Sequence, residues 1–301
     1  MKFLEWLKNL FKTIPLRPEN SGLLSDELRP TDWIVGVNSQ IIFKNRLSDG
    51  DWSKYIFDKR PQWCWYLGKY VDWMICTCCS LASKISGQIY FLTGKQRLIS
   101  RKWFAITSGN TKQGNLVYKP MDVARKLGWI YEDQWPEPKI ASWEQYHTID
   151  PATDARLLKL AAENAAPYRN ELGEYGRYEF LPLGDKSFDQ HLQHAPLSLV
   201  IPGHSICGFH SPSDLVEYRD SYDPWDKQEK SVNITFAAKF IIELSKIQAK
   251  VFKFNNSPEL LVGFPMDAMQ TLDKVKTDDR TWLDKYYLNE NILILPTKKP
   301  F

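Results

Sequence analysis

The feature that most constrains the fold is a change of pattern near Pro167. Before it, apolar residues recur with helical spacing, in the stretches 76–91, 101–106, 121–127 and 151–164. After it come short runs typical of strands, at 175–181, 197–201, 205–209, 217–221, 251–254 and 291–295. Helices are predicted among them at 187–194 and 236–247. A chain of 301 residues can bury a sizeable core. The order predicts an α+β protein, mostly helical in its first half and mostly sheet in its second.

Three of the five cysteines lie within four residues, at Cys76, Cys78 and Cys79. Asp72 precedes a run free of Pro and Gly, which predicts a loop turning into a helix near Cys76. A thiol at a helix start is favoured as thiolate, because the unpaired N–H groups and the macrodipole stabilise negative charge there. The alternative is that these cysteines only pack as small buried hydrophobes.

Charge and cysteine usage narrow the function classes. The net charge of +3 is small and the basic residues are dispersed, which argues against a nucleic-acid partner. No apolar run approaches the roughly eighteen residues of a membrane span. An odd number of cysteines without a secretory signal predicts free thiols and a reducing compartment.

A catalytic thiol needs a base, and the base needs a partner that fixes its tautomer and orientation. His147, His191 and His194 fall in or beside polar helical stretches and are interpreted as solvated. His204 instead opens a strand, and Asp220 ends the next one, so two antiparallel neighbours place the pair side by side. A core histidine beside a turn aspartate is the alternative.

Three motifs in this order resemble those of the papain-like cysteine peptidases, and more closely the papain-like proteins encoded by bacteriophages. They are the nucleophile motif Asp72–Thr77, the base strand Gly203–Ile206 and the segment Asp220–Tyr222, which resembles the family's Asn-Ser-Trp. Weaker similarity covers 98–101, 126–130 and 195–200, and the whole resemblance spans about residues 30–225.

The resemblance implies a two-lobe papain-like α+β fold and a cysteine peptidase that needs no cofactor or metal. Cys76 would attack a peptide carbonyl, His204 would act as base, and Asp220 would orient the imidazole. An Asp in place of Asn would hold the imidazolium more strongly and shift the pH optimum. The family places a Gln shortly before the nucleophile as an oxyanion donor. The candidate is Gln62, fourteen residues upstream across an aromatic insertion.

The chain divides, on this interpretation, into a leader (1–50), a helical lobe (51–165) and a β-rich lobe with a C-terminal extension (166–301). Residues 1–14 predict an amphipathic helix that docks on the protein itself or on a partner, with a membrane surface as the alternative. The expected partners are a peptide or protein substrate and phage structural proteins. The expected location is the host cytoplasm or the virion.

Three other functions stay open. One is a papain-like fold kept as a non-catalytic structural or interaction protein of a virion. A second is a related acyl transfer such as peptidoglycan amide cleavage. A third is a metal site, for which the residues would be Cys76, Cys78, Cys79, His204, Cys207 and His210. The three clustered cysteines lack the usual two-residue ligand spacing, and the strand that carries His204, Cys207 and His210 would direct their side chains to both of its faces.

Overall fold

A computed structural model describes residues 22–24, 28, 32–35, 37, 46–149, 151–182, 184–222 and 226–245. The helices of this part are α1 (Cys76–Thr93), α2 (Arg101–Thr107), α3 (Tyr118–Leu127), α4 (Trp143–Tyr146), α5 (Pro151–Ala165) and α6 (Phe188–Leu192). The strands are β1 (Trp63–Tyr66), β2 (Lys69–Asp72), β3 (Arg177–Phe180), β4 (Leu197–Ile201), β5 (His204–His210), β6 (Leu215–Arg219), β7 (Asp226–Lys230) and β8 (Phe236–Ile241). The predicted α+β class is confirmed.

The strands form two antiparallel sheets. β1 and β2 make a hairpin, and the others make a six-stranded sheet in the order β3-β8-β4-β5-β6-β7. Three predictions were wrong. The segment before Cys76 was interpreted as loop and is the β1–β2 hairpin, β7 was not predicted, and 236–247 was predicted as a helix but contains β8. The strands predicted at 251–254 and 291–295, and the helix at 1–14, lie outside the described residues.

Helix α1 joins the helical part of the molecule to the sheet. It ends at Gly94, which adopts a left-handed conformation (φ 70°) and bonds its N–H to the Tyr90 carbonyl. Two side chains two turns apart tie it to the strands. The Ser80 hydroxyl lies 2.8 Å from that of Ser198 and donates to the Ile206 carbonyl at 2.9 Å. Gln88 bonds the backbone on either side of Ile241. The N-terminal turn of α1 is therefore held against β5.

Two hydrophobic clusters lie on opposite faces of the six-stranded sheet. The larger contains the helices α1, α2, α3 and α5 with residues such as Trp103, Phe104 and Trp129. The smaller contains Leu197, Leu199 and Ile201 of β4 together with Phe188 and Leu192 of α6. β4 is buried on both faces and is apolar except for Ser198, whose hydroxyl contacts that of Ser80. Each fully buried large apolar side chain contributes about 1.5–3 kcal/mol.

Residues 22–24 of the leader lie beside the segment that precedes α1. The Leu24 N–H bonds the Asn115 carbonyl, and the Asn115 N–H bonds the Gly22 carbonyl, both at 2.9 Å. A Cβ on Gly22, whose φ is +99°, would lie 2.4 Å from the Met74 carbonyl oxygen. The leader thus approaches the backbone just before Cys76 as closely as only glycine allows. Among the described helices, none has the length and apolar character needed to cross a membrane.

Candidate active site

Cys76 is the first residue of α1 and is wholly buried. The preceding residue, Ile75, provides no side-chain cap, so no side chain satisfies the first N–H groups of the helix. Asp72, four residues upstream, accepts a hydrogen bond from the Met74 N–H at 2.7 Å and so fixes the turn into the helix. Helix α1 packs on β5, and the backbone N–H of Ser205 on that strand lies close enough to lower the pKa of the Cys76 thiol. The nucleophile predicted from the sequence therefore lies against the strand that begins with His204.

His204 and Asp220 form a buried hydrogen-bonded pair. The His204 Nε2 lies 2.9 Å from Asp220 Oδ1, and the two side chains are 0% and 4% exposed. The Tyr222 N–H donates to the same carboxylate oxygen at 2.8 Å, which fixes the carboxylate. The Tyr222 ring meets the His204 ring edge to face, with centroids 5.6 Å apart. Because Nε2 faces Asp220, the ring's other nitrogen, Nδ1, is on the opposite side of the ring from this pair.

Gln62 links the two ends of the candidate site. Its Nε2 donates to Asp72 Oδ1 at 2.9 Å, and its Oε1 accepts from the Ser221 hydroxyl at 2.7 Å. Its backbone N–H also bonds the Ser221 carbonyl at 2.8 Å. The aromatic insertion that separates Gln62 from Cys76 is the β1–β2 hairpin. A hairpin returns the chain to its starting point, so Gln62 lies beside Asp72 although the two are ten positions apart in the sequence.

The hairpin is also tied to the segment that follows Asp220. The Trp63 indole N–H donates to the Tyr222 carbonyl at 2.9 Å, and the Tyr70 hydroxyl donates to the Tyr222 hydroxyl at 3.0 Å. Sequence reasoning did not find a role for either aromatic residue or for Tyr222. A signal was present, because Trp63, Trp65 and Tyr70 share one face when the segment is aligned as a two-stranded hairpin.

Burial reverses the electrostatic prediction for Cys76. Burial raises the pKa of the Cys76 thiol well above its usual value, and the hydrogen bond from Ser205 opposes this only in part. The helix-start effect was expected to favour the thiolate, but loss of hydration outweighs it in this closed arrangement. Burial likewise raises the pKa of Asp72 to about 6, against hydrogen bonds from Met74 and Gln62.

The remaining histidines differ from the sequence interpretation. His191 was expected to be solvated but is buried, with Nε2 3.0 Å from Asp185 Oδ2. His147 is half-buried and stacked on Trp143, and burial lowers its pKa to about 4. His194 is half-buried as well, and burial followed by the nearby Lys239 lowers its pKa to about 4.

All five cysteines are free and buried. Cys78 and Cys79 pack in the larger hydrophobic cluster, and burial raises the pKa of each to about 12. Cys207, on β5, also has its pKa raised to about 12 by burial. Within the described residues, no three His, Cys, Asp or Glu side chains are grouped to hold a metal ion.

Comparison with known proteins gives structural matches only. No family model matches the sequence, and no curated protein matches it. The structure is similar to xylellain, a cysteine protease from Xylella fastidiosa, with 13% identity over 77% of this chain and 99% of that one (TM-score 0.49). It is also similar to the cysteine protease CMS1MS2 of Carica candamarcensis, with 10% identity over 65% and 98% of the two chains (TM-score 0.45).

A third similar structure is the proform of Amb a 11, a cysteine protease and ragweed pollen allergen, with 12% identity and a TM-score of 0.45. The match covers 64% of this chain and 66% of the ragweed chain. Each of these TM-scores is below 0.5, and the proposed function rests on the residues of the site.

Proposed function

We propose that this protein is a papain-like cysteine peptidase with Cys76 as nucleophile, His204 as base and Asp220 as the residue that orients the base. One observation carries the proposal. A buried His–Asp pair is joined at 2.9 Å, and its histidine begins the strand whose next residue, Ser205, lies close enough to Cys76 to lower the pKa of that thiol. A nucleophile, a base and an orienting acid in one buried site are what acyl transfer through a thioester requires.

The proposed reaction uses the two ring nitrogens of His204 differently. Nε2 stays bonded to Asp220, and Nδ1 accepts the Cys76 proton as the sulfur attacks the carbonyl carbon of a peptide. The tetrahedral intermediate collapses when the imidazolium returns that proton to the leaving amine, which leaves a thioester on Cys76. His204 then removes a proton from water, which attacks the thioester and releases the acid, and the imidazolium returns that proton to the Cys76 thiolate.

The developing oxyanion needs hydrogen-bond donors, and we propose the Cys76 backbone N–H and the Gln62 side chain. The first belongs to an uncapped helix start. Support for the second is positional, because Gln62 is bonded both to Asp72, four residues before Cys76, and to Ser221, next to Asp220. Removing one such donor in comparable sites costs roughly 10²–10³ in rate.

The complete burial of Cys76 favours a second candidate function, a non-catalytic structural or interaction protein. In the described arrangement no peptide reaches the sulfur, and the raised pKa of the thiol keeps it protonated. Under the first proposal this arrangement is a closed form that must open for substrate. The bacteriophage origin, the virion partners and the location in host cytoplasm or virion remain predictions from the sequence motifs.

Acyl-enzyme trapping separates the two candidates. The full chain is incubated with a mixture of unfolded protein substrates, quenched in acid and analysed by intact mass and peptide mapping. A peptidase gives new substrate termini and a thioester on Cys76, both abolished in C76A and retained in C207A. If wild type and C76A give the same peptide pattern and no adduct forms, the protein is the non-catalytic candidate.

A further inference from the structure

We propose that Lys227 is a positioning residue that shares the charge of Asp220 with His204 and thereby sets the pH at which His204 loses its proton. The consequence for catalysis rests on the proposed function. The electrostatic part does not, since the protonation of His204 can be measured in a protein without activity.

The two oxygens of Asp220 face two different bases. Oδ1 accepts from His204 Nε2 at 2.9 Å, whereas Oδ2 lies 3.5 Å from the Lys227 Nζ. Lys227 lies on β7, opposite Tyr218 of β6. Its side chain is 36% exposed while Asp220 is 4% exposed. The lysine therefore brings a positive charge from the edge of the sheet to a carboxylate that is otherwise buried.

Other charged groups near Asp220 have acidic partners of their own. Asp220 lines a small polar cavity shared by Asp58, Arg60, Arg101, Arg219, Cys79 and Cys207. Arg219 bonds Asp226, Arg60 bonds Asp58, and Arg101 bonds Glu137. The Tyr222 ring packs edge to face on His204, and the next residue, Ser205, lies near Cys76. Lys227, by contrast, forms an ion pair with Asp220 itself.

The effect of Asp220 on the His204 pKa explains why a cation at Lys227 would matter. A carboxylate stabilises a neighbouring imidazolium more strongly than a neutral amide does, and so raises the pKa of the imidazole. A base held as imidazolium at neutral pH cannot accept the nucleophile's proton. A second cation on the same carboxylate lowers the pKa of the imidazole, because it repels the imidazolium and competes with it for Asp220. Lys227 thus offsets the effect of having Asp at this position.

The test is a histidine titration in the full chain, followed by NMR of ¹³C-labelled imidazole rings. The His204 resonance is identified as the one missing from H204Q. K227M is expected to raise the His204 pKa by about half a unit, the range of a partly exposed ion pair. K227R, which keeps the charge, should match wild type. A second neutral variant, K227Q, guards against a folding defect specific to methionine.

Two results would overturn the inference. One is a His204 pKa that is the same in wild type, K227M and K227Q. The other is an equal shift on adding K227M to D220N, because the effect would then not pass through Asp220. The pH midpoint of Cys76 alkylation should shift with the NMR value. If the His204 pKa shifts in K227M but Cys76 does not react with the alkylating agent, the proposed function alone is refuted. If Cys76 reacts but the His204 pKa is the same in wild type and K227M, the role of Lys227 alone is refuted.

Discussion

Two histidine–carboxylate pairs in the second half of the chain share a hydrogen-bond geometry and differ in their surroundings. His204–Asp220 spans 2.9 Å with side chains 0% and 4% exposed, and His191–Asp185 spans 3.0 Å with side chains 11% and 22% exposed. Asp185 also accepts from the Ser187 N–H, so it anchors the start of α6. His204 instead precedes Ser205, which lies close enough to Cys76 to lower the pKa of that thiol. The two pairs therefore differ in having a thiol nearby and not in the distance between histidine and carboxylate.

Replacing the two histidines should give the largest contrast. In H204Q, peptide cleavage is expected to fall at least about 100-fold, the usual contribution of a general base. In H191Q, which removes a ring in a similar pair, kcat/KM should stay within about twofold of wild type. Cleavage is measured with a quenched fluorescent peptide derived from the fragments found by trapping, and near-UV circular dichroism checks the fold. Equal losses in the two variants would mean that the pairs do not differ in function.

Replacing the two acids should give a smaller contrast. D220N keeps the shape of the side chain but removes the charge that stabilises the His204 imidazolium. The imidazolium that forms when His204 accepts the Cys76 proton is then less stable. Each unit by which the His204 pKa falls makes this transfer tenfold less favourable, so Cys76 alkylation near pH 6 should slow about tenfold. D185N should leave that rate unchanged. A slower reaction in D185N as well would indicate that both acids act through overall stability.

A variant of the leader tests how easily a reagent reaches Cys76, independently of the proposed pairing of Cys76 with His204. G22V places a Cβ where the Met74 carbonyl oxygen lies 2.4 Å away, which displaces the leader segment. G68V is the matched control, because Gly68 also has positive φ (+76°) but nothing within 4 Å of the added Cβ. Loss of about 1 kcal/mol of leader docking should speed Cys76 alkylation about fivefold in G22V only. Equal rates would show that the leader does not limit access.

Breaking the His191–Asp185 pair should lower the free energy of unfolding and leave the reactivity of Cys76 unchanged. Burial acts to raise the pKa of Asp185, but hydrogen bonds from Ser187 and His191 lower it overall. A lowered folded pKa adds stability above the unfolded value, near 4, that disappears as pH falls through the folded value. D185N should therefore cost about 1 kcal/mol at pH 7 and almost nothing near pH 2, measured by urea unfolding. A cost independent of pH would contradict an ionised Asp185.

Much of the fold could be predicted because its elements have strong local signals. Helix α1, helix α3 with its Gly128 end and strand β4 begin or end within a few residues of their predicted limits. The β1–β2 hairpin was missed because Leu67-Gly68 is not a typical turn sequence, although both residues adopt positive φ. β7 was missed because an exposed edge strand of charged residues has no apolar face to reveal it.

Strand β8 shows a limit set by the tertiary structure. Phe236–Ile241 is apolar except for Lys239, a pattern that fits a helix as well as a buried strand. The sheet decides between them, since β8 lies between β3 and β4. Lys239 is accommodated there because its Nζ lies 2.9 Å from Glu179 on β3. No local rule in the sequence gives this pairing.

The sequence indicated which residues to consider for the candidate site, but not the burial and contacts of those residues. The sequence order of Cys76, His204 and Asp220 led to the three side chains, and Gln62 follows from the same resemblance. The full burial of Cys76, the leader against Met74 and the contact of Lys227 with Asp220 arise where segments distant in sequence meet. Contacts of this kind depend on the assembled fold, so neither spacing nor composition indicates them.

The most direct test is the alkylation rate of each cysteine by iodoacetamide near pH 6 in the folded protein. All five thiols are buried and free, so differences in rate report activation and local opening rather than simple exposure. Cys76 is expected to react well before Cys64 and Cys207, and to lose this advantage in H204Q. If Cys76 reacts no faster than the other buried thiols, and H204Q has no effect, His204 does not activate it and the peptidase proposal is wrong.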